Sequence, residues 1–211
     1  NRGVNVDPED EPGNQLGGFD IRWLLPKKMP VALYMQWIGE DGRGGGGAVG
    51  SWLRQLGVEH WGTIGELSHR SHFEVTEATC REGGFGFSDE KPNCAYNHSI
   101  YQTGYRYYGR AIGHPGDGDT LAYSFGSTLV QSAGPVWNVL LRYMEINRVG
   151  SPDPGHTLSP TPQELVDIQF SHDRMTKYGR FSTGLGYGRL EDKATGSSDS
   201  DVSGFIQWSS N

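Results

Sequence analysis

Apolar and polar residues alternate along most of this chain, which is the period of a β-strand. From Ile64 to Thr76, polar residues occupy every second position over Glu66–Glu74, and Phe73 and Val75 fall on the opposite face. The same pattern predicts about nine or ten strands, over Gln15–Leu24, Val31–Glu40, Trp52–Trp61, Ile64–Thr76, Thr120–Gln131, Pro135–Arg148, Glu164–Met175, Tyr178–Glu191 and Asp201–Trp208. The pattern therefore predicts an all-β, antiparallel fold.

The length of these strands favours a transmembrane β-barrel over a soluble sheet. Several run to 12 or more residues, whereas strands of globular proteins usually have about 5 or 6. Short turns alternate with long loops, predicted at 42–50, 79–114, 150–161 and 193–200, as in outer-membrane barrels. Alternation alone leaves open a soluble β-sandwich whose polar face meets water.

Composition supports strands and excludes several classes of protein. Among 211 residues, 32 are glycine, 11 are proline and only 35% are hydrophobic, which disfavours long helices and a single thick core. The net charge of −7, without a cluster of basic residues, argues against a nucleic-acid partner. No apolar run approaches the roughly 20 residues of a membrane-spanning helix, and the polar stretch Asn1–Gly13 lacks the features of a secretory signal.

Cys80 and Cys94 are the two cysteines of the chain. They lie 14 positions apart in a stretch rich in Gly, Asn, Ser and Pro. This setting predicts a loop disulfide formed in an oxidising compartment, with two free thiols as the alternative.

Motifs for metals, cofactors and catalysis are weak. Gly42, Gly44 and Gly47 match a G-x-G-x-x-G pattern but open no credible helix. His69 and His72 point to opposite faces of a strand, and Asp117–Asp119 resembles only a fragment of a calcium loop. There is no nucleophile turn of the G-x-S-x-G type. The sequence therefore predicts no enzyme, no metal site and no cofactor.

The stretch Asn97–Asp119 carries the densest chemistry of the chain. Aromatic rings stack on the apolar faces of sugars, while arginines and carboxylates hydrogen-bond to hydroxyl and uronate groups. The alternative is an aromatic girdle at the membrane interface, together with charged residues packed inside a barrel. The candidate polysaccharide-binding residues are Tyr101, Tyr105, Arg106, Tyr107, Tyr108, Arg110, His114, Asp117 and Asp119.

Segments within residues 2–119 resemble the Wzi capsule-assembly family. They are Glu11–Asp20 (EPGNQLGGFD), Ala32–Tyr34 with Ile38–Asp41, and Tyr96–His114 (YNHSIYQTGYRYYGRAIGH), which match in order and spacing. The resemblance implies a closed antiparallel barrel in the outer membrane of a Gram-negative bacterium, with a helical element on the periplasmic side. It also implies a lectin-like protein, without turnover, that helps retain exported capsular polysaccharide.

The resemblance also implies the organisation and the partners of the chain. Full family members are about twice as long, so we expect residues 1–211 to be a single β-barrel region that lacks the amino-terminal part of the barrel and the signal peptide. The expected partners are capsular polysaccharide, outer-membrane lipid and the capsule export machinery. A pore of the same architecture and a soluble β-sandwich acting on carbohydrate remain as alternative functions.

Overall fold

The computed structural model is a set of β-strands without helices in the part of the chain that it describes, which is residues 16–26, 29–41, 49–82, 87, 89–98, 104–132, 134–152 and 155–210. The strands are β1 (Leu16–Leu24), β2 (Val31–Asp41), β3 (Val49–Ile64), β4 (Leu67–Glu82), β5 (Glu90–Lys91), β6 (Arg106–Tyr107), β7 (Arg110–Ala111), β8 (Leu121–Gln131), β9 (Val136–Ile146), β10 (Gln163–Thr176), β11 (Gly179–Asp192) and β12 (Ser198–Ser209). Among these residues, none belongs to a helix long and apolar enough to cross a bilayer.

The long strands form one sheet by successive hairpins. Its order is β1-β2-β3-β4-β8-β9-β10-β11-β12, every pairing is antiparallel, β5 pairs with the end of β4, and β6 and β7 form a separate small hairpin. Each of the nine strands predicted from alternation corresponds to a long strand of this sheet. The predicted all-β antiparallel fold is confirmed.

Two predicted boundaries near β4 are wrong. Ile64 ends β3 and does not begin β4, because Gly65 adopts a φ of 62° and forms a tight turn with Glu66. The strand then continues to Glu82, into residues predicted as the long loop from position 79. Ordered neighbours extend the ladder: Ala78 N–H donates to the Thr120 carbonyl, and β5 pairs with the last residues of β4.

The sheet has one apolar and one polar face. On the apolar face, Phe73 lies between Val58 and Phe125 on the neighbouring strands. Large apolar side chains here are exposed, among them Leu33, Leu56, Leu141, Ile168, Phe170, Leu185 and Val202. An apolar band spanning nine strands is far larger than the patches that monomeric proteins expose to water. This face is therefore typical of a sheet that meets lipid.

The polar face carries networks that cross several strands. Arg22 and Arg70 both bind the buried Glu59 carboxylate. Tyr34 donates a hydrogen bond of 2.6 Å to Glu74.

Three further strands are joined by hydrogen bonds among Thr128, Asn138 and Ser171. Beside them, Arg142 pairs with Asp167. Charged and amide groups paired in this way suit a face that lines water or a polar interior.

The two ends of the sheet differ. The turns at residues 65–66 and 177–178 are tight, and those at 25–30 and 132–135 are short; we call this side the turn end. At the opposite side, the loop end, β4 connects to β8 and β9 connects to β10 through residues 83–120 and 147–162. Most of the buried apolar residues gather at this end, and they include Leu53, Ala78, Tyr96, Met144 and Ile146. The packed core therefore lies under the long loops.

The sheet is not closed in the described part of the chain. β1 and β12 each pair with a single neighbour and do not pair with each other. An unpaired strand edge leaves backbone N–H and C=O groups without partners, which is costly in lipid. The open sheet is consistent with one side of a larger barrel.

Candidate functional site

The long loops pack together into one unit at the loop end, which we call the loop cluster (residues 92–98, 104–120, 147–152 and 155–162). Cys80 at the end of β4 forms a disulfide with Cys94, with the two Cα atoms 5.8 Å apart. This confirms the predicted disulfide. The bond fastens the first segment of the loop cluster to the sheet.

A buried ion pair lies at the centre of the loop cluster. An Nη atom of Arg106 lies 2.8 Å from an oxygen of Asp117, and the two side chains are only 3% and 1% exposed. Arg106 also donates to the backbone carbonyls of Tyr96 and Gly155 and to the side chain of Asn97. One guanidinium therefore joins three of the four segments of the loop cluster.

The Asp117 carboxylate is fully engaged with donors. It accepts from Arg106, from the backbone and the hydroxyl of Thr157, and from the N–H of Gly118. Burial acts to raise the pKa of Asp117, but the donors from Arg106 and Thr157 hold that pKa below its usual range. The side chain is thus a structural anion, available neither as a general acid nor as a sugar ligand.

Asp119 is also built into the fold. Its carboxylate accepts the N–H of Asn93 at 2.8 Å, and its own N–H and carbonyl bond to Ala78 and Arg148. Burial raises the pKa of Asp119. Asp117 and Asp119 both have positive φ angles, of 63° and 50°. They therefore form a tight connection between the loop cluster and β8.

His114 lies toward the polar face of the sheet. Burial, together with the nearby positive charge of Arg142, lowers the pKa of His114 from 6.5 to about 4. Its backbone N–H donates to the Tyr96 hydroxyl, and a Cβ added at Gly116 would lie 2.7 Å from the Met144 side chain. This part of the loop cluster therefore packs against the loop end of β9 on the polar face.

Residues 147–162 supply cross-links that the sequence did not reveal. The buried His156 ring places one nitrogen 3.1 Å from the Ser159 carbonyl and the other 3.1 Å from the Gly116 carbonyl. Asn147 bonds to the backbone of Ser151 and Ser159. The polar composition of this loop was its only signal, and composition does not identify partners 40 residues away.

The β6–β7 hairpin projects from this rigid base. Tyr108 and Gly109 form its turn, with φ angles of 48° and 73°, the pair of positive values that suits the twist of a tight hairpin. The Tyr107 and Tyr108 side chains are 68% and 89% exposed, and their rings meet edge to face at 4.5 Å. Arg110, which is also exposed, follows on the returning strand.

The predicted polysaccharide-binding residues therefore divide into two groups. Tyr107, Tyr108 and Arg110 are displayed at the hairpin tip. Arg106, Asp117 and Asp119 are buried supports, while Tyr105 and His114 are partly buried beside them, and Tyr101 lies outside the described residues. In the described part of the chain, no three His, Cys, Asp or Glu side chains are grouped to hold a metal ion.

These features define an antiparallel sheet of outer-membrane barrel type, with structured loops at one end. The family model of the capsule assembly protein Wzi matches residues 2–197. The chain therefore belongs to the Wzi capsule assembly family, and the resemblance seen in the sequence is confirmed.

A solved structure from Escherichia coli has a similar fold. It is Wzi, described as an outer membrane protein involved in group 1 capsule assembly and as a carbohydrate-binding β-barrel. The TM-score is 0.72 and the identity 24%, over 95% of this chain and 44% of that one. The present chain thus spans less than half of that protein's length. Among curated proteins, no relative matches.

Proposed function

We propose that this chain forms one side of an outer-membrane β-barrel that retains capsular polysaccharide at the surface of a Gram-negative cell. The observation that carries the proposal is the exposed pair Tyr107 and Tyr108, mounted on the buried Arg106–Asp117 pair. Family membership and the similar Escherichia coli barrel point to the same role. In this arrangement the loop end faces outward and the apolar face contacts lipid.

The hairpin tip has the chemistry of a sugar contact. Rigid tyrosine rings offer apolar surface to the C–H face of a pyranose, and their hydroxyls remain free to hydrogen-bond. Arg110 adds a planar donor that suits carboxylate or hydroxyl groups. Because the buried ion pair holds the hairpin base in place, little entropy is lost when the tip binds.

Retention by binding fits the site better than turnover does. Glycoside hydrolysis uses two carboxyl groups that flank a scissile bond. Asp117 and Asp119, the two carboxylates among the candidate residues, are buried and held by hydrogen bonds from Thr157 and Asn93. We therefore assign the chain a lectin-like, non-catalytic role, in which polysaccharide arriving from the export machinery is captured at the loop end.

A pore is the second candidate, and the polar face is the observation that favours it. In a closed barrel this face would line water. The loop cluster, however, packs over part of the loop end of this face, where Gly116 approaches Met144 on β9. We expect the protein to be electrically silent in planar bilayers, and steady, salt-dependent conductance would support the pore.

Replacement of the hairpin tip tests the proposal in encapsulated cells. We expect Tyr107→Ala and Arg110→Ala to shift capsular polysaccharide from the cell pellet to the medium, while the protein remains in the outer membrane. Tyr178→Ala is the matched control, because Tyr178 is 70% exposed in a tight turn at the opposite end. Equal retention in all three variants would contradict the assignment.

A further inference from the structure

On the polar face of β11, residues 184–188 present no side chain. Gly184, Gly186 and Gly188 occupy successive positions on this face, so no side chain rises from the strand there. Their neighbours on β12 are Phe205, Ser203 and Asp201. A trough of about 520 Å³ lies over the first two glycines and extends across β10 to β9.

Aromatic, aliphatic and neutral polar groups line this trough. The Phe205 ring leans over Gly184 and is 52% exposed. The Ser203 hydroxyl lies 2.7 Å from the position of a Cβ at Gly186.

On the other side of the trough, the Asn138 amide donates to the Ser171 hydroxyl, and Gln169 extends along the floor. An exposed aromatic ring beside amides and hydroxyls is the donor and acceptor set that recognises a sugar ring.

Two of the carboxylates near the trough are already paired. Asp167 is bound by Arg142 at 3.3 Å, and Asp173 by Arg180 at 2.9 Å. No arginine or lysine lines the trough itself within the described residues. A uronate would therefore find no cation there, whereas neutral hydroxyl groups would find amide and hydroxyl partners.

Packing of an aromatic ring over glycine does not by itself explain the trough. The Tyr34 ring covers Gly57 and the His72 ring covers Gly126 on the same face. In those places one ring fills the space over a single glycine, and the Tyr34 hydroxyl donates a hydrogen bond to Glu74. On β11, the open space continues beyond the glycine that Phe205 covers.

We propose that the trough over Gly184 and Gly186 binds neutral pyranose units, with Phe205 as the stacking platform. It is a second contact for the polysaccharide, and in this sense it rests on the proposed function. The hairpin tip reaches the glycan outside the barrel, and the trough reaches it on the polar face within. Acidic units in the same polymer would contact Arg110 and not the trough.

Calorimetric titration of the detergent-purified protein with maltohexaose and cellohexaose tests the trough. We expect a dissociation constant on the order of 1 mM for at least one of them. Phe205→Ala should weaken that binding about fivefold, and Gly186→Val, whose side chain fills the floor, should abolish it. Ile206→Ala is the matched control, because Ile206 adjoins Phe205 and faces the apolar side.

The outcomes separate the trough from the hairpin. The trough proposal would be overturned if the wild-type protein bound neither hexasaccharide. It would also be overturned if Phe205→Ala and Gly186→Val left the binding unchanged. If Tyr107→Ala cells lose capsule retention while the wild-type protein binds neither hexasaccharide, the proposed function would stand and the trough proposal would fail. Glucan binding that survives Tyr107→Ala and fails in Phe205→Ala would support the trough as a separate contact.

Discussion

Replacement of Arg106 by methionine removes the cation from the centre of the loop cluster and keeps a side chain of similar length. Asp117 then remains buried and charged, with Thr157 and Gly118 as its donors. Breaking a buried pair from one side costs about 3–5 kcal/mol, because a charge is left uncompensated. We expect this cost to destabilise the loop cluster and to leave the long hairpins of the sheet folded.

Hydrogen exchange measures this loss locally. The reporters are the backbone amides of Tyr105, Asp117 and Thr157, which donate within the loop cluster. A loss of 3–5 kcal/mol corresponds to exchange about two to four orders of magnitude faster. Amides of β9 and β10, which pair over eleven positions, should keep their rates.

Two variants control the experiment. Arg110→Met removes an exposed arginine four residues away and should leave exchange unchanged. The double variant Arg106→Met with Asp117→Leu replaces both charges by apolar groups, so it should lose less protection than Arg106→Met alone. Unaltered exchange in Arg106→Met would refute the reasoning, and so would an equal rise throughout the sheet, since the pair would then not act locally.

Two further predictions concern pH and close packing. The folded pKa of His114 is about 4, below its usual 6.5, so the stabilisation from the neutral ring is complete above pH 6.5 and is lost as the pH falls towards 4. We expect the free energy of opening of the loop cluster to fall by about 2 kcal/mol between pH 7 and pH 5. Over this step, loop-cluster amides of the wild-type protein should lose more protection from exchange than those of His114→Gln. An equal loss in the two proteins would contradict the assignment. Gly57→Ala would place a methyl group inside the Tyr34 ring. We therefore expect the free energy of unfolding, measured with urea, to fall by about 1–3 kcal/mol. Gly17→Ala is its control, because open space surrounds that position, and similar losses in both variants would argue against the ring contact.

The strands could be predicted from sequence because alternation is a local signal. Each long strand carries its own pattern, as over Glu164–Met175, and hairpins join neighbours in sequence. Boundaries failed where a distant segment extended a strand. The last residues of β4 looked like a loop, and it is the hydrogen bond from Ala78 to Thr120 together with the pairing of β5 that keeps them extended.

The loop cluster could not be predicted, because its contacts join residues far apart in sequence. Asp117 meets Thr157 across 40 residues, and Asn97 meets Gly155 across 58. Nor does residue type distinguish a displayed arginine from a buried one. Arg106 and Arg110 flank the same hairpin turn, yet the first is a structural cation and the second is exposed. Burial, and not composition, separates them.

The hairpin tip and its base are adjacent in sequence but differ in how strongly the rest of the fold constrains them. The base, Arg106 with Asp117, is buried and joined to several segments of the loop cluster, whereas the side chains at 107, 108 and 110 are exposed. If the tip binds polysaccharide as proposed, recognition of a different surface polymer would require only a few substitutions there. Under the proposed function, such substitutions would change which polysaccharide is bound while the barrel wall and the disulfide remain as they are.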